Sequence, residues 1–411
     1  MTAVCLYFKV HQPYQLKKYQ PLDIQIVHSY EDAAANKETM DFMADNCYLP
    51  ANEVLYRSIK EQDGKFRVSF SISGTTLELL RSYRPDVIDS FKKLTGTGCV
   101  EILAETYYHS LCYLHSKKEF KRQVEKHSSL VKEIFGIKPA VFRNTELIYN
   151  NELARLMAGF GYKGILCEGL ETLLQGRSPN QIYAAPGVND FGLLLRNTTL
   201  SDDIAFRFDD ANWSEHPLTA GKFASWLHAF PETTELINLF MNYETFGIYK
   251  KRESGVFDFL DALPAAVLEN RKYRFSTPSA MLNTCYPKDV YDVPQTISWE
   301  DKSDVNCVWS SNMMQNNTVK KIYSIENMVM DSKRNSAIEV WGRLQSADNF
   351  YYMAEREKHT GDFKYTNPFS SAEEAFQNYN NILLDFEISL IKNNINQIKR
   401  TGQHLPVLNL Y

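Results

Sequence analysis

The chain has no Cys-x-x-Cys pair, no two histidines at helical spacing, no bilayer-length apolar run and no excess of basic charge. Seven cysteines, an odd number without repeating spacing, argue against a disulfide framework or a zinc cluster and favour a reducing compartment. Without a His pair one helical turn apart, a metal-dependent deacetylase lacks its ligands. A net charge of −5 provides no electrostatic footprint for nucleic acid. The opening run Met1–Val10 has no basic start and reads as a first strand rather than a signal peptide. With no spanning segment either, the expected location is cytoplasmic. No internal repeat or low-complexity tract is visible.

What is present suits one large globular unit or two smaller ones. The chain has 411 residues, 44% hydrophobic and 23% charged. Aromatics reach 13%, which fits a well-filled core and also a groove whose rings stack on sugar faces.

Short apolar runs alternate with helical stretches. Ala3–Val10, Phe66–Ile72, Gly98–Leu103, Gly164–Leu166, Leu193–Leu195 and Leu236–Met241 have strand length and composition. Glu119–Phe135 and Asn151–Phe160 carry helical periodicity, the second stopping at Gly161. Such alternation predicts an α/β fold with parallel strands, whose C-terminal ends present loop residues to one face. After about Cys285 the pattern becomes helical, over 319–345 and 371–399. Leu383, Leu384, Phe386, Ile388, Leu390 and Ile391 form an expected apolar stripe. The expected division is 1–285 for the barrel and 286–411 for a helical region that completes the cleft.

Polar clusters follow the predicted strands. His11-Gln12-Pro13 ends the first. Gly98–Leu111 carries Glu101, Glu105, Tyr107 and His109, and alternation places Glu101 and Glu105 on one side of an extended segment. Phe142-Arg143-Asn144-Thr145-Glu146-Leu147-Ile148-Tyr149-Asn150 sets Glu146 just past an apolar run. Arg143 is near enough in sequence to help keep that carboxyl ionised. Thr145-Glu146 alone also reads as helix capping. Phe240-Met241-Asn242-Tyr243-Glu244-Thr245-Phe246-Gly247 ends another strand, with Gly247 allowing a tight turn. Trp299, Trp309, Asn312 and the run Leu344–Tyr352, with Asp348 and Tyr351, come last.

Five such segments in this order resemble glycoside hydrolase family 57, in its α-amylase-like branch. The resemblance implies a distorted, incomplete parallel (β/α)7 TIM-like barrel followed by the helical region, with no metal and no cofactor. It implies an α-glucan oligosaccharide or polysaccharide as partner, with neither nucleic acid nor membrane. It implies Glu146 as the nucleophile of a retaining mechanism. It also implies a substrate set of His11, Glu101, Glu105, His109, Arg143, Glu244, Trp299, Asp348 and Tyr351, with Tyr107, Trp299 and Tyr351 as rings expected to stack on sugar. The chain departs from the pattern at position 242, where the family carries the aspartate that protonates the leaving sugar and this chain has Asn242. Further departures stand at Tyr249, Asn349, Asp304 and Val305.

Retaining enzymes hold two carboxyls about 5–5.5 Å apart, and loss of general acid–base help costs about 10²–10⁴-fold in rate. Two readings follow: an α-glucan hydrolase or glucanotransferase of reduced activity, and an inactive relative that binds glucan or regulates an active one. In the first, Asn242→Asp is expected to raise turnover, unless the other departures prevent a single reversion from acting.

Overall fold

The computed structural model describes residues 1–299, 309–354 and 367–401, so Asp304 and Val305 lie outside the described residues. Its strands are β1 (Thr2–Val10), β2 (Val68–Ile72), β3 (Val100–Ile102), β4 (Val141–Arg143), β5 (Gly164–Glu168), β6 (Ile182–Ala185), β7 (Val188–Arg196) and β8 (Leu236–Asn242). Two further short strands, β9 (Tyr273–Phe275) and β10 (Asp289–Val290), pair with β1 and β6.

Parallel ladders run β3-β2-β1-β8 and β7-β5-β4. A single bridge, Ala104 to Phe142, joins β3 to β4. Side chains close the opposite seam. Asn238 donates to the Leu195 carbonyl at 2.8 Å, and the Arg196 guanidinium donates to the Phe240 carbonyl at 2.9 Å. Seven parallel strands, β1, β2, β3, β4, β5, β7 and β8, therefore surround one interior, with β6 antiparallel to β7 outside that circuit. This is the expected (β/α)7 barrel, and its two weak seams make it incomplete.

Local chemistry explains the helices between strands. Lys117–Phe135 starts at Ser116, whose side chain accepts from the Glu119 amide, and stops at Gly136 with φ +71°. Asn151–Gly159 starts at the matching cap Asn150. The region expected as one helix over 319–345 is broken into Met313–Ser324, Glu326–Asp331 and Asn335–Leu344. Lys333 at φ +52° turns the chain between the last two, a backbone state that ends helices. In the final helix, Ala372–Thr401, Leu383, Phe386 and Leu390 are buried at i, i+3 and i+7. Leu384 and Ile391 fall off that face and are 46% and 38% exposed, which corrects the wider stripe expected for them.

One apolar core lies between β1, β2, β8 and their covering helices. A second mixes Phe142, Ile165 and Leu193 of the barrel with Trp309, Trp341, Phe350 and Leu383, so the C-terminal helices pack directly on the strands. Among the described residues no helix is long and apolar enough to cross a membrane.

Candidate active site

The site grows from strand ends. β1 is buried along its whole length, yet its eighth residue is Lys9. An ammonium there is costly unless paired. The pairing is supplied by Glu146, whose Oε1 lies 3.1 Å from Lys9 Nζ. Glu146 sits in a single turn, Thr145–Leu147, directly after β4. Its backbone is left-handed at φ +50°, as are Leu147 at +52° and His109 at +51°. Left-handed non-glycine residues cost free energy and persist where the surroundings fix them.

Those surroundings are specific. His109 Nε2 lies 2.5 Å from Glu146 Oε1, and its Nδ1 lies 3.3 Å from Glu105 Oε2. The Trp299 indole donates to Glu146 Oε2 at 2.5 Å. Trp299 reaches this point because Tyr149 and Ile297 exchange two backbone bonds of 2.9 Å, which lays the 297–299 segment along the Glu146 turn. Burial alone would raise the Glu146 pKa, but the Lys9 charge, the His109 bond and the Arg143 charge outweigh it and hold the carboxyl well below the usual range. Glu105 behaves alike. Burial opposes, while the His109 bond and the His109 and Arg143 charges bring it down to about 2.

His11 and Asp348 form the next layer. His11 stacks on His109 with ring centroids 4.0 Å apart, places Nδ1 2.7 Å from Ser73 Oγ, and places Nε2 2.8 Å from Asp348. Ser346 donates to the same carboxyl at 2.6 Å. Ser110 and Ser346 form a bridge, and the Ala347 amide donates to the His109 carbonyl at 2.9 Å. The C-terminal helices thus deliver Asp348 to the histidine pair. Asn349 donates to the Leu344 carbonyl at 3.3 Å, capping the preceding helix.

A narrow, solvent-open pocket with about 30 Å³ of free internal space lies beside this cluster. Lys9, Arg143, Arg196, Asn242 and Trp299 line it together with apolar side chains. Its lining of cations, an amide and an indole offers hydrogen-bonding partners to a polar ligand. Asn242 ends β8 in direct register with Lys9 on β1. Gly247 makes the turn beyond, at φ +102°, where a Cβ would fall 1.9 Å from the Asn46 carbonyl oxygen. Among the described residues no group of three or more His, Cys, Asp or Glu could hold a metal ion.

Glu146, Asn242, His11, Glu105, His109, Arg143, Trp299 and Asp348 thus meet around one end of the barrel. Of the expected residues, Arg143, Asn242 and Trp299 line that pocket, His11, Glu105, His109 and Asp348 stand in the hydrogen-bonded cluster with Glu146, and four others are engaged elsewhere. Glu101 is corrected outright: β3 ends at Ile102, so Glu101 and Glu105 do not share an extended face, and Glu101 accepts from the Ser279 amide at 3.0 Å. It lines a different cavity, with Arg67, Lys138, Thr277 and Ser279. Glu244 is buried and turned to the Tyr48 hydroxyl at 2.7 Å and Gln12 at 3.4 Å. Burial pushes its pKa up. Tyr107, expected as a stacking ring, is wedged against Gly74 in the core and donates to Glu78 at 2.6 Å. Tyr351 packs in the second core. Sequence reasoning missed Lys9 as a site residue. The available signal was a lone cation in an apolar strand, two residues before His11 and so on the same face.

The model for glycosyl hydrolase family 57 matches residues 5–294. A Methanocaldococcus jannaschii protein described as "Putative alpha-amylase" is 39% identical over 395 residues, covering 92% of this chain and 83% of that relative. A Thermococcus litoralis 4-alpha-glucanotransferase structure overlays with a TM-score of 0.70 at 16% identity, covering 94% of this chain and 59% of that one. A branching enzyme from Thermococcus kodakaraensis gives 0.69 at 13% identity, covering 98% and 92%. These two overlays concern the fold alone. With a family match over most of its length, beside a curated relative of similar extent, the chain belongs to glycosyl hydrolase family 57.

Proposed function

We propose that this protein is an α-glucan-active site that keeps its nucleophile and has lost its proton donor. The observation that carries the reading is the Glu146 carboxylate, held ionised by Lys9, His109 and Trp299 beside a pocket whose facing strand ends in Asn242. The family relatives, an amylase-like protein by description and a glucanotransferase and a branching enzyme by structure, support α-glucan as the substrate class. His11, Glu105, His109, Arg143, Trp299 and Asp348 are the substrate-side and positioning groups in this reading. Residues 286–411 complete the cleft of a barrel formed by 1–285.

In a retaining mechanism the Glu146 carboxylate attacks the anomeric carbon as the glycosidic C–O bond breaks. The electron pair leaves on the departing oxygen, which needs a proton when the leaving group is a sugar. Asn242 has no acidic proton to give. Glu244 does not take over, since its carboxyl engages Tyr48 and Gln12 away from the pocket. An aryl oxide departs without that help. Water then attacks the glycosyl ester, releases the sugar and regenerates the Glu146 carboxylate, again without a base at 242.

The test has two parts. Calorimetry with maltooligosaccharides should show millimolar or tighter binding. Turnover should be measured on an aryl α-glucoside with a good leaving group and on a maltooligosaccharide. The reading expects the aryl substrate to be favoured by about 10²–10⁴-fold more than in an enzyme with an intact donor. Wild-type hydrolysis of starch at ordinary amylase rates would refute it.

A further inference from the structure

Lys9 and Asn242 are in-register neighbours on adjacent parallel strands, and both side chains line the pocket. Paired positions on neighbouring strands stand about 4.8 Å apart, well within a lysine's reach. Lys9 Nζ is 3.1 Å from Glu146 and the residue is 6% exposed, so its charge is screened by protein rather than by water. Of the other pocket cations, Arg196 pairs with Asp202 at 2.5 Å and with Glu168 at 3.6 Å, while Arg143 stands 3.8 Å from Glu105 with its Nε and Nη1 making no hydrogen bond, a background charge that all the variants below share. A carboxyl placed at 242 would therefore meet the Lys9 ammonium on the neighbouring strand. Glu146 is the facing anion; Glu244 is bonded to the Tyr48 hydroxyl and also feels the Lys9 charge.

We propose that Lys9 is a positioning residue coupled to position 242: it holds Glu146 as an anion, and it prevents a carboxyl at 242 from serving as a proton donor near neutral pH. The inference rests on the glycosidase reading given above. A cation close to a carboxyl lowers its pKa by about one to three units. A donor so shifted is ionised at neutral pH and useless as an acid. Neutral Asn242 and cationic Lys9 are in this view one matched pair, and reversing Asn242 alone leaves the obstacle in place.

The experiment compares wild type, Asn242→Asp and the double variant Lys9→Gln/Asn242→Asp. Glutamine retains a donor for Glu146 without the charge, and thermal unfolding checks that each variant is folded. The pH profile of kcat/KM on a maltooligosaccharide is the first readout. The acid at 242 sets its basic limb, while Glu146 sets the acidic limb, so the two effects separate. The basic limb should lie at least about one unit higher in the double variant, giving at least about a tenfold advantage at pH 7 that shrinks in acid. Coincident basic limbs would overturn the proposal. The second readout needs no turnover. In protein carrying carboxyl-¹³C aspartate, the resonance that appears with Asn242→Asp should titrate at least about one unit lower than in the double variant. Equal titration would overturn the coupling even where glucan is hydrolysed. A clear difference in variants that bind glucan but never hydrolyse it would uphold the coupling and defeat the hydrolase reading.

Discussion

Replacing Glu146 with glutamine leaves Lys9 buried without its counter-ion, and the cost can be worked from the contacts. Glu146 accepts from Lys9 at 3.1 Å and from the Trp299 indole at 2.5 Å, and its Oε1 lies 2.5 Å from His109 Nε2. Charge-assisted bonds of this kind are worth about 1.5–3 kcal/mol each, but they do not add, since the amide oxygen still accepts one of them. Breaking a buried pair by removing one charge costs about 3–5 kcal/mol, and that is the expected loss for Glu146→Gln at pH 7. Lys9→Gln/Glu146→Gln removes both charges and should recover a large part of it. The depressed Glu146 pKa adds a pH signature. Its contribution is fully present above the ordinary value of 4.5 and is lost as pH falls through the folded value, so the gap between wild type and variant should narrow in acid. Glu105, brought down to about 2, loses its share over the interval from 4.5 to about 2, roughly 3 kcal/mol, in wild type and variant alike. Urea unfolding followed by tryptophan fluorescence at a series of pH values is the assay. A variant as stable as wild type at pH 7, or a gap independent of pH, would refute the ion cluster.

Other outcomes follow from placements away from the pocket. Glu101→Gln should leave maltooligosaccharide affinity within about twofold in calorimetry, because Glu101 faces Ser279 rather than the pocket beside Asn242; a large loss would return it to the site. Gly247→Ala should destabilise by at least about 2 kcal/mol in thermal unfolding, since it combines φ +102° with a Cβ 1.9 Å from the Asn46 oxygen.

Sequence and structure meet most closely where chemistry is local. The strand before His11, the run ending at Phe142 and the run ending at Met241 were each legible as apolar segments followed by polar residues, and each became a parallel strand, the last two one residue longer at the end than the runs. The caps Ser116 and Asn150 fix helix starts within two residues of their expected places. Failures arose where a decision is made by partners distant in sequence. Glu101 looked equivalent to Glu105 by alternation, but β3 is only three residues long and the backbone leaves the strand between them. Tyr107 looked like a stacking ring until Gly74, more than thirty residues earlier, provided the hollow it fills. The hairpin of β6 and β7 was half seen, because β7 shows its apolar half alone as a short run. Lys9 was passed over because a lone lysine has no meaning until β4 brings Glu146 against it.

The most direct measurement of the central claim is mass spectrometry of the wild-type protein after reaction with an activated, fluorinated α-glucoside. Departure of a good leaving group without a donor, followed by slow deglycosylation without a base, should load one glycosyl unit onto the peptide that contains Glu146. The adduct should be absent from Glu146→Gln. A wild type that binds the glucoside yet carries no adduct on Glu146, or carries it on another carboxylate, would contradict the account.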